Sequence, residues 1–79
     1  MEQKKIKVNL NNIGDIKKFI KVVSNFMSDV DIIADRVVLD AKSIMALYSL
    51  DLSQDVYVRI ISDDVIECRN FDAAMEEFR

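Results

Sequence analysis

Apolar residues change their period repeatedly along this chain, and those changes limit it to short strands and helices in alternation. Ile6, Val8 and Leu10 alternate with Lys5, Lys7 and Asn9, the period-two pattern of a half-buried strand. Asn11-Asn12-Ile13-Gly14-Asp15 reads as a turn and a helix start. Ile16, Phe19, Ile20, Val23, Phe26 and Met27 then recur at helical spacing, with Lys17, Lys18, Lys21, Ser24 and Asn25 on the remaining faces. Val30–Ala34 and Arg36–Leu39 flank Asp35 and predict two strands joined by a tight hairpin. Ser43 is placed to cap a short helix over Ile44–Leu50. Val56–Ile61 is β-branched and aromatic, hence another strand, which Val65–Arg69 is expected to extend or bulge. Asn70 is expected to cap a last helix in which Phe71, Ala74, Met75 and Phe78 share a face. The element order is β-α-β-β-α-β-α, an α+β arrangement.

Stability has to come from a packed core. Cys68 is the lone cysteine, so no intrachain disulfide can form. A chain of 79 residues buries only about 60–65% of its unfolded surface, which makes every apolar position count. With 51% hydrophobic and 32% charged residues, and no proline, repeat or linker, residues 1–79 are expected to form one domain. No apolar run approaches 18 residues, so no membrane span is expected. The Met1–Lys5 segment lacks the apolar stretch of a secretory leader. That and the lone cysteine suggest a cytoplasmic location.

Charge is uneven. The net charge is −3, yet the first 21 residues hold six lysines against Glu2 and Asp15. An acidic balance disfavours nucleic acid, whose binding draws on phosphate neutralisation, while the lysine cluster suits an acidic partner. Gly14 is the lone glycine, so there is no glycine-rich phosphate loop. No His/Cys metal set exists, and Asp29, Asp31, Asp35, Asp63 and Asp64 lack the pattern of a calcium loop. No cofactor and no metal are expected.

The most specific stretch is Leu39-Asp40-Ala41-Lys42-Ser43-Ile44-Met45-Ala46-Leu47-Tyr48-Ser49-Leu50. It resembles the regulatory-serine region of HPr, the histidine-containing phosphocarrier of the bacterial sugar phosphotransferase system. Ile6-Lys7-Val8 and Ala73-Ala74-Met75-Glu76-Glu77 add weaker support. The resemblance implies an HPr-like open-faced β-sandwich, a four-stranded antiparallel sheet with three helices on one face.

Departures from the family pattern carry the functional expectation. HPr places a phosphoacceptor histidine and an arginine at the start of its first helix, where unpaired N–H groups and the helix dipole favour phosphate. Aligned back from that helix, this chain has Ile13 at the histidine position, Gly14 next, Asp15 at the arginine position and Ile16 at the proline position. It contains no histidine anywhere. Ile13 has no nucleophilic nitrogen, and Asp15 repels phosphate where arginine would clamp it. Ile13-Gly14-Asp15 is therefore expected to be a degenerate phosphocarrier loop, in a protein that is neither an enzyme nor a phosphohistidine carrier.

Two features of the next helix remain. In many HPr proteins the serine matching Ser43 is phosphorylated, and Crh-like relatives without the histidine act through that serine as corepressor partners. Dianionic phosphate at a helix start is electrostatically favourable. Second, Ile44, Met45, Leu47, Tyr48 and Leu50 spread over about 220° at ~100° per residue, wider than packing on a sheet requires. Leu47 and Leu50 are expected to face the core and to leave Ile44, Met45 and Tyr48 partly exposed, as residues that favour interfaces. The leading expectation is a regulatory or protein-interaction domain that docks a protein through the helix starting at Ser43. The alternatives are a Ser43-switched regulator and a homo-dimer that buries the helix patch.

Overall fold

The computed structural model describes residues 4–79, so the Met1–Gln3 part of the segment read as lacking a leader lies outside it. Strands β1 (Ile6–Val8), β2 (Val30–Ala34), β3 (Val37–Asp40) and β4 (Val56–Ile60) form one antiparallel sheet in the order β1-β4-β2-β3. The register puts Ile6 opposite Val58, Val58 opposite Ile32, and Ile32 opposite Leu39. Because side chains alternate along a strand, this row lies on one face, and its members belong to or pack against the core. The neighbouring row, Lys7, Tyr57, Ile33 and Val38, points to the other face.

Helices α1 (Ile13–Val23), α2 (Ile44–Tyr48) and α3 (Val65–Met75), followed by a 3-10 turn (Glu76–Phe78), complete the fold. Each sends a short apolar stripe into the core: Ile16, Phe19 and Val23 from α1, Leu47 from α2, Phe71 and Met75 from α3. Two edge-to-face aromatic pairs join the first helix region to the last. Phe19 meets Phe78 at 5.3 Å and Phe26 meets Phe71 at 5.4 Å between ring centres. Such pairs contribute about 0.5–1.5 kcal/mol beyond their burial.

Several boundaries differ from the sequence expectations, each for a local reason. Val65–Arg69 belongs to α3 and does not extend the sheet. Strand β4 ends at Ile60, and the chain then turns, with Ser62 Oγ accepting the Asp64 N–H at 3.1 Å. The Asp64 carboxylate accepts bonds from Ile66 N and Glu67 N at 2.9 and 3.2 Å and starts the helix instead. Asn70 thus lies inside α3 and is not its cap. Helix α1 stops at Val23, because Asn25 N and Phe26 N turn back onto the Val22 and Val23 carbonyls. That turn keeps Phe26 against the core and throws Met27 out to 96% exposure. Helix α2 ends at Tyr48, two residues before Leu50, and Ile61 lies beyond β4. The hairpin turn has two residues, Asp35 and Arg36, since Ala34 pairs with Val37. Asp35 takes φ 55°, a conformation that aspartate tolerates better than most residues.

Phe19→Ala is expected to cost about 3–5 kcal/mol and Ile16→Ala about 2–5 kcal/mol, with Val58→Ala near the low end. Lys18, whose ion pair with Glu77 at 3.0 Å is largely exposed, should be within about 0.5 kcal/mol of neutral on change to alanine. Asp35→Val should cost about 1–2 kcal/mol, whereas Asp35→Gly should not destabilise. Urea titrations of the six variants check this ordering, and equal losses at Phe19 and Lys18 would overturn the assigned faces.

Candidate functional site

The first candidate lies where β1 feeds α1. Asn12, in extended conformation, caps the helix: its Oδ1 accepts the Asp15 N–H at 2.9 Å. Asp15 answers by accepting the Asn11 N–H at 2.9 Å through Oδ2. The two side chains form a reciprocal cap, with the acid reaching one residue further back than in the usual capping box. Gly14 fits beneath it. A Cβ there would meet Asn12 Oδ1 at 3.0 Å, so any side chain at this position would press on the cap. Ile13 opens the helix and is 60% exposed. The chain thus supplies its own acceptor and its own negative charge at this helix start. An incoming phosphate would meet the Asp15 carboxylate and a nearby side chain with no nucleophile.

The second candidate is α2. Ser43 Oγ accepts the Ala46 N–H at 3.3 Å, a long capping bond on a half-buried side chain. Lys42 is pinned beside it, with its N–H on Asp40 Oδ1 at 2.9 Å and Nζ on the Phe26 carbonyl at 2.6 Å. Phe26 follows the C-terminal end of α1, whereas Asp15 lies in its first turn. Ser43 and the Ile13–Asp15 segment are therefore not brought together. They stand at opposite ends of an 11-residue helix, about 16 Å long at 1.5 Å per residue.

Leu47 is fully buried and Leu50 half-buried, while Ile44, Met45 and Tyr48 are 43%, 77% and 46% exposed. The cause is geometric. Helix α2 packs against both α1 and β3, and its five residues, about one and a half turns, offer room for one inward leucine. The rest of its apolar surface faces outward.

Sequence reasoning missed three contributors. Asn12 carries an N-cap signature, readable as an Asn three residues before an acid. The other two have no local signal. Lys42 reaches a carbonyl 16 residues away, and Glu67 accepts bonds from both Ser28 N and Ser28 Oγ, 39 residues away. Hydrogen bonds from Ser28 first, and then from Ser62, hold the Glu67 carboxyl below the usual glutamate range. Glu67 thereby fastens α3 to the loop that also receives Lys42.

Comparison with known proteins places these features in a family. The family model described as the PTS HPr component phosphorylation site (PTS-HPr) matches residues 15–78. The chain is similar in structure to a phosphocarrier protein HPr from Bacillus anthracis, with TM-score 0.72 and 24% identity over 99% of this chain and 96% of that one. It is also similar to an HPr from Thermoanaerobacter tengcongensis, with TM-score 0.72 and 25% identity over 98% and 93% of the two chains. No curated protein matches.

The Glu67 bonds predict a pH signature. A carboxyl held below its unfolded range adds stability above that range, and the contribution is lost as pH falls through the folded value. Glu67→Gln should therefore lower stability near neutral pH and flatten its acid decline from the ordinary glutamate range downward. Urea midpoints measured from pH 7 to pH 3 check this, and parallel curves for the two proteins would remove Glu67 from the account.

Proposed function

The chain belongs to the PTS-HPr family of HPr-like phosphocarrier proteins, and from that premise we propose that it is a member which docks proteins without carrying phosphohistidine. The observation that carries the reading is the absence of histidine from all 79 residues. The family's chemistry needs an imidazole nitrogen to form the phosphoramidate bond, and Ile13, at the matching position, has none. The reciprocal Asn12–Asp15 cap supports the same reading, because it fills the helix start with the protein's own charge.

HPr proteins interact with other phosphotransferase-system proteins, and the α2 surface is the proposed contact here. Ile44, Met45 and Tyr48 expose apolar area on a five-residue helix backed by a fixed Leu47. Met is adaptable and Tyr amphipathic, and both are enriched at interfaces. Residues 1–79 act as one HPr-like unit in this reading, with no catalytic step of their own.

A second reading draws on Ser43. The Lys42-Ser43-Ile44-Met45 run keeps the family's regulatory-serine pattern, and its capping bond is long enough to give up at little cost. Phosphate on Ser43 would then switch α2 docking, as in a Crh-like corepressor. A kinase of the HPr type with ATP tests this, read out by mass mapping of phosphate to Ser43 and by its loss in Ser43→Ala.

Enzyme I and phosphoenolpyruvate, run beside an authentic HPr as positive control, should leave this protein unphosphorylated. Acid-labile phosphate on the purified chain would overturn the non-carrier reading. Met45→Lys and Tyr48→Glu should keep the melting temperature nearly unchanged and abolish binding to phosphotransferase-system proteins in a titration. If Met45→Lys unfolds the domain, the patch is core. If it changes neither stability nor binding, α2 is not the contact.

A further inference from the structure

We infer that the β3 edge is a self-pairing surface: two copies join β3 to β3 antiparallel, centred on Val38, into one continuous eight-stranded sheet. This surface is separate from the exposed face of α2, and the inference does not rest on the docking reading above.

The backbone decides which groups are free. With a two-residue turn, Ala34 and Val37 exchange hydrogen bonds, so every second residue of β3 bonds to β2. Ala41 N on the Val30 carbonyl at 2.8 Å keeps that parity, which assigns Val37, Leu39 and Ala41 inward. Val38 and Asp40 therefore point their backbone groups out of the sheet, as does Arg36 at the turn. Asp40 already gives its carbonyl to Ser43 N at 3.1 Å, so the groups left for a partner strand are both groups of Val38, both of Arg36 and the Asp40 N–H. Strand β3 is an edge, and no described strand pairs with its outer side. An unpaired edge is a template for another strand.

The side chains select the partner and the register. Antiparallel pairing centred on Val38 sets Val38 against its copy, Val37 against Leu39, and Arg36 against Asp40 at both ends. Val37 and Val38 are 51% and 54% exposed in the single chain. Arg36 makes no ion pair with another described residue. Of the two neighbouring registers that keep outward groups facing outward groups, one puts Arg36 against Lys42 and Val38 against Asp40, and the other leaves Asp40 unpaired. Centring on Asp40 faces two carboxylates. Charge and apolar matching therefore favour one register, and it is self-complementary as a two-fold axis requires. The axis also continues the Tyr57–Ile33–Val38 row of the open face into its copy. The other edge, β1, is guarded by Lys5 and Lys7, a common protection against pairing.

The contact is short, so the association is weak and concentration-dependent. Sedimentation equilibrium of the full chain should show a monomer–dimer equilibrium. Arg36→Asp or Asp40→Arg alone, each placing like charges opposite at both ends, should weaken it by about tenfold or more. The double reversal should restore it to within about threefold. Melting temperatures accompany each variant, since Asp40 also holds the Lys42 N–H. A second test does not depend on that bond. Val38→Cys in a Cys68→Ser background should oxidise to a linked dimer, because directly bonded antiparallel partners sit about 5.5 Å apart at Cα, within disulfide reach. Lys7→Cys in the same background should not. The inference is overturned if the wild type stays monomeric at millimolar concentration, if the single charge reversals leave the dimer intact, if Lys7→Cys links as readily as Val38→Cys, or if Met45→Lys dissolves the dimer while the β3 variants do not.

Discussion

Strand β4 holds the middle of the sheet, and Val58 on it is fully buried between Ile6 of β1 and Ile32 of β2. A one-residue slip of this strand would turn Val56, Val58 and Ile60 to the open face and bring Tyr57 and Arg59 inward. The Asp31–Arg59 pair, bonded at 3.1 Å across β2 and β4 on that open face, agrees with the register in use. Everything else hangs on that alternation. One face of the sheet is continuously apolar and has to be covered, and the chain has three helices with which to cover it.

Covering the sheet sets where the functional surfaces fall. Helix α1 spans enough of it to bury Ile16, Phe19 and Val23, so its first turn projects to one side. In this chain that turn is closed by Asn12 and Asp15, which accept N–H groups from one another's segment. A helix start that would attract an anion has been internally neutralised. Helix α2 fills the remaining space beside α1 over β3, and five residues suffice. A helix that short buries one leucine well and leaves its other apolar residues at the surface, which is why Ile44, Met45 and Tyr48 are available at all. Its start is tied down by Lys42 on the Phe26 carbonyl, and Phe26 in turn packs edge-to-face on Phe71.

Much of this was legible beforehand. Period-two alternation located β1 and β4, helical spacing located α1, and Ser43 marked the start of α2, because in each case local geometry and burial demand the same pattern. The resemblance in Leu39–Leu50 placed the chain in its family. The reading failed where a local preference met a tertiary fact. Val65 and Ile66 favour strand, but the chain had already turned at Ser62 after β4 ended, and Asp64 offered a cap. Met27 continued the helical spacing of α1, but the chain had already turned so that Phe26 could reach Phe71.

From sequence alone came the element types outside Val65–Arg69, the absence of histidine and the match to one family, because these depend on residue identity and on spacing within a few positions. Only the tertiary structure decided that Ser43 and Asp15 lie at opposite ends of α1, that Lys42 and Glu67 tie distant loops, and that Val37 and Val38 stand on an open edge. Each of those outcomes depends on pairings between segments far apart in the chain, and such pairings are set by which faces must be buried together, a constraint that no short stretch of sequence contains.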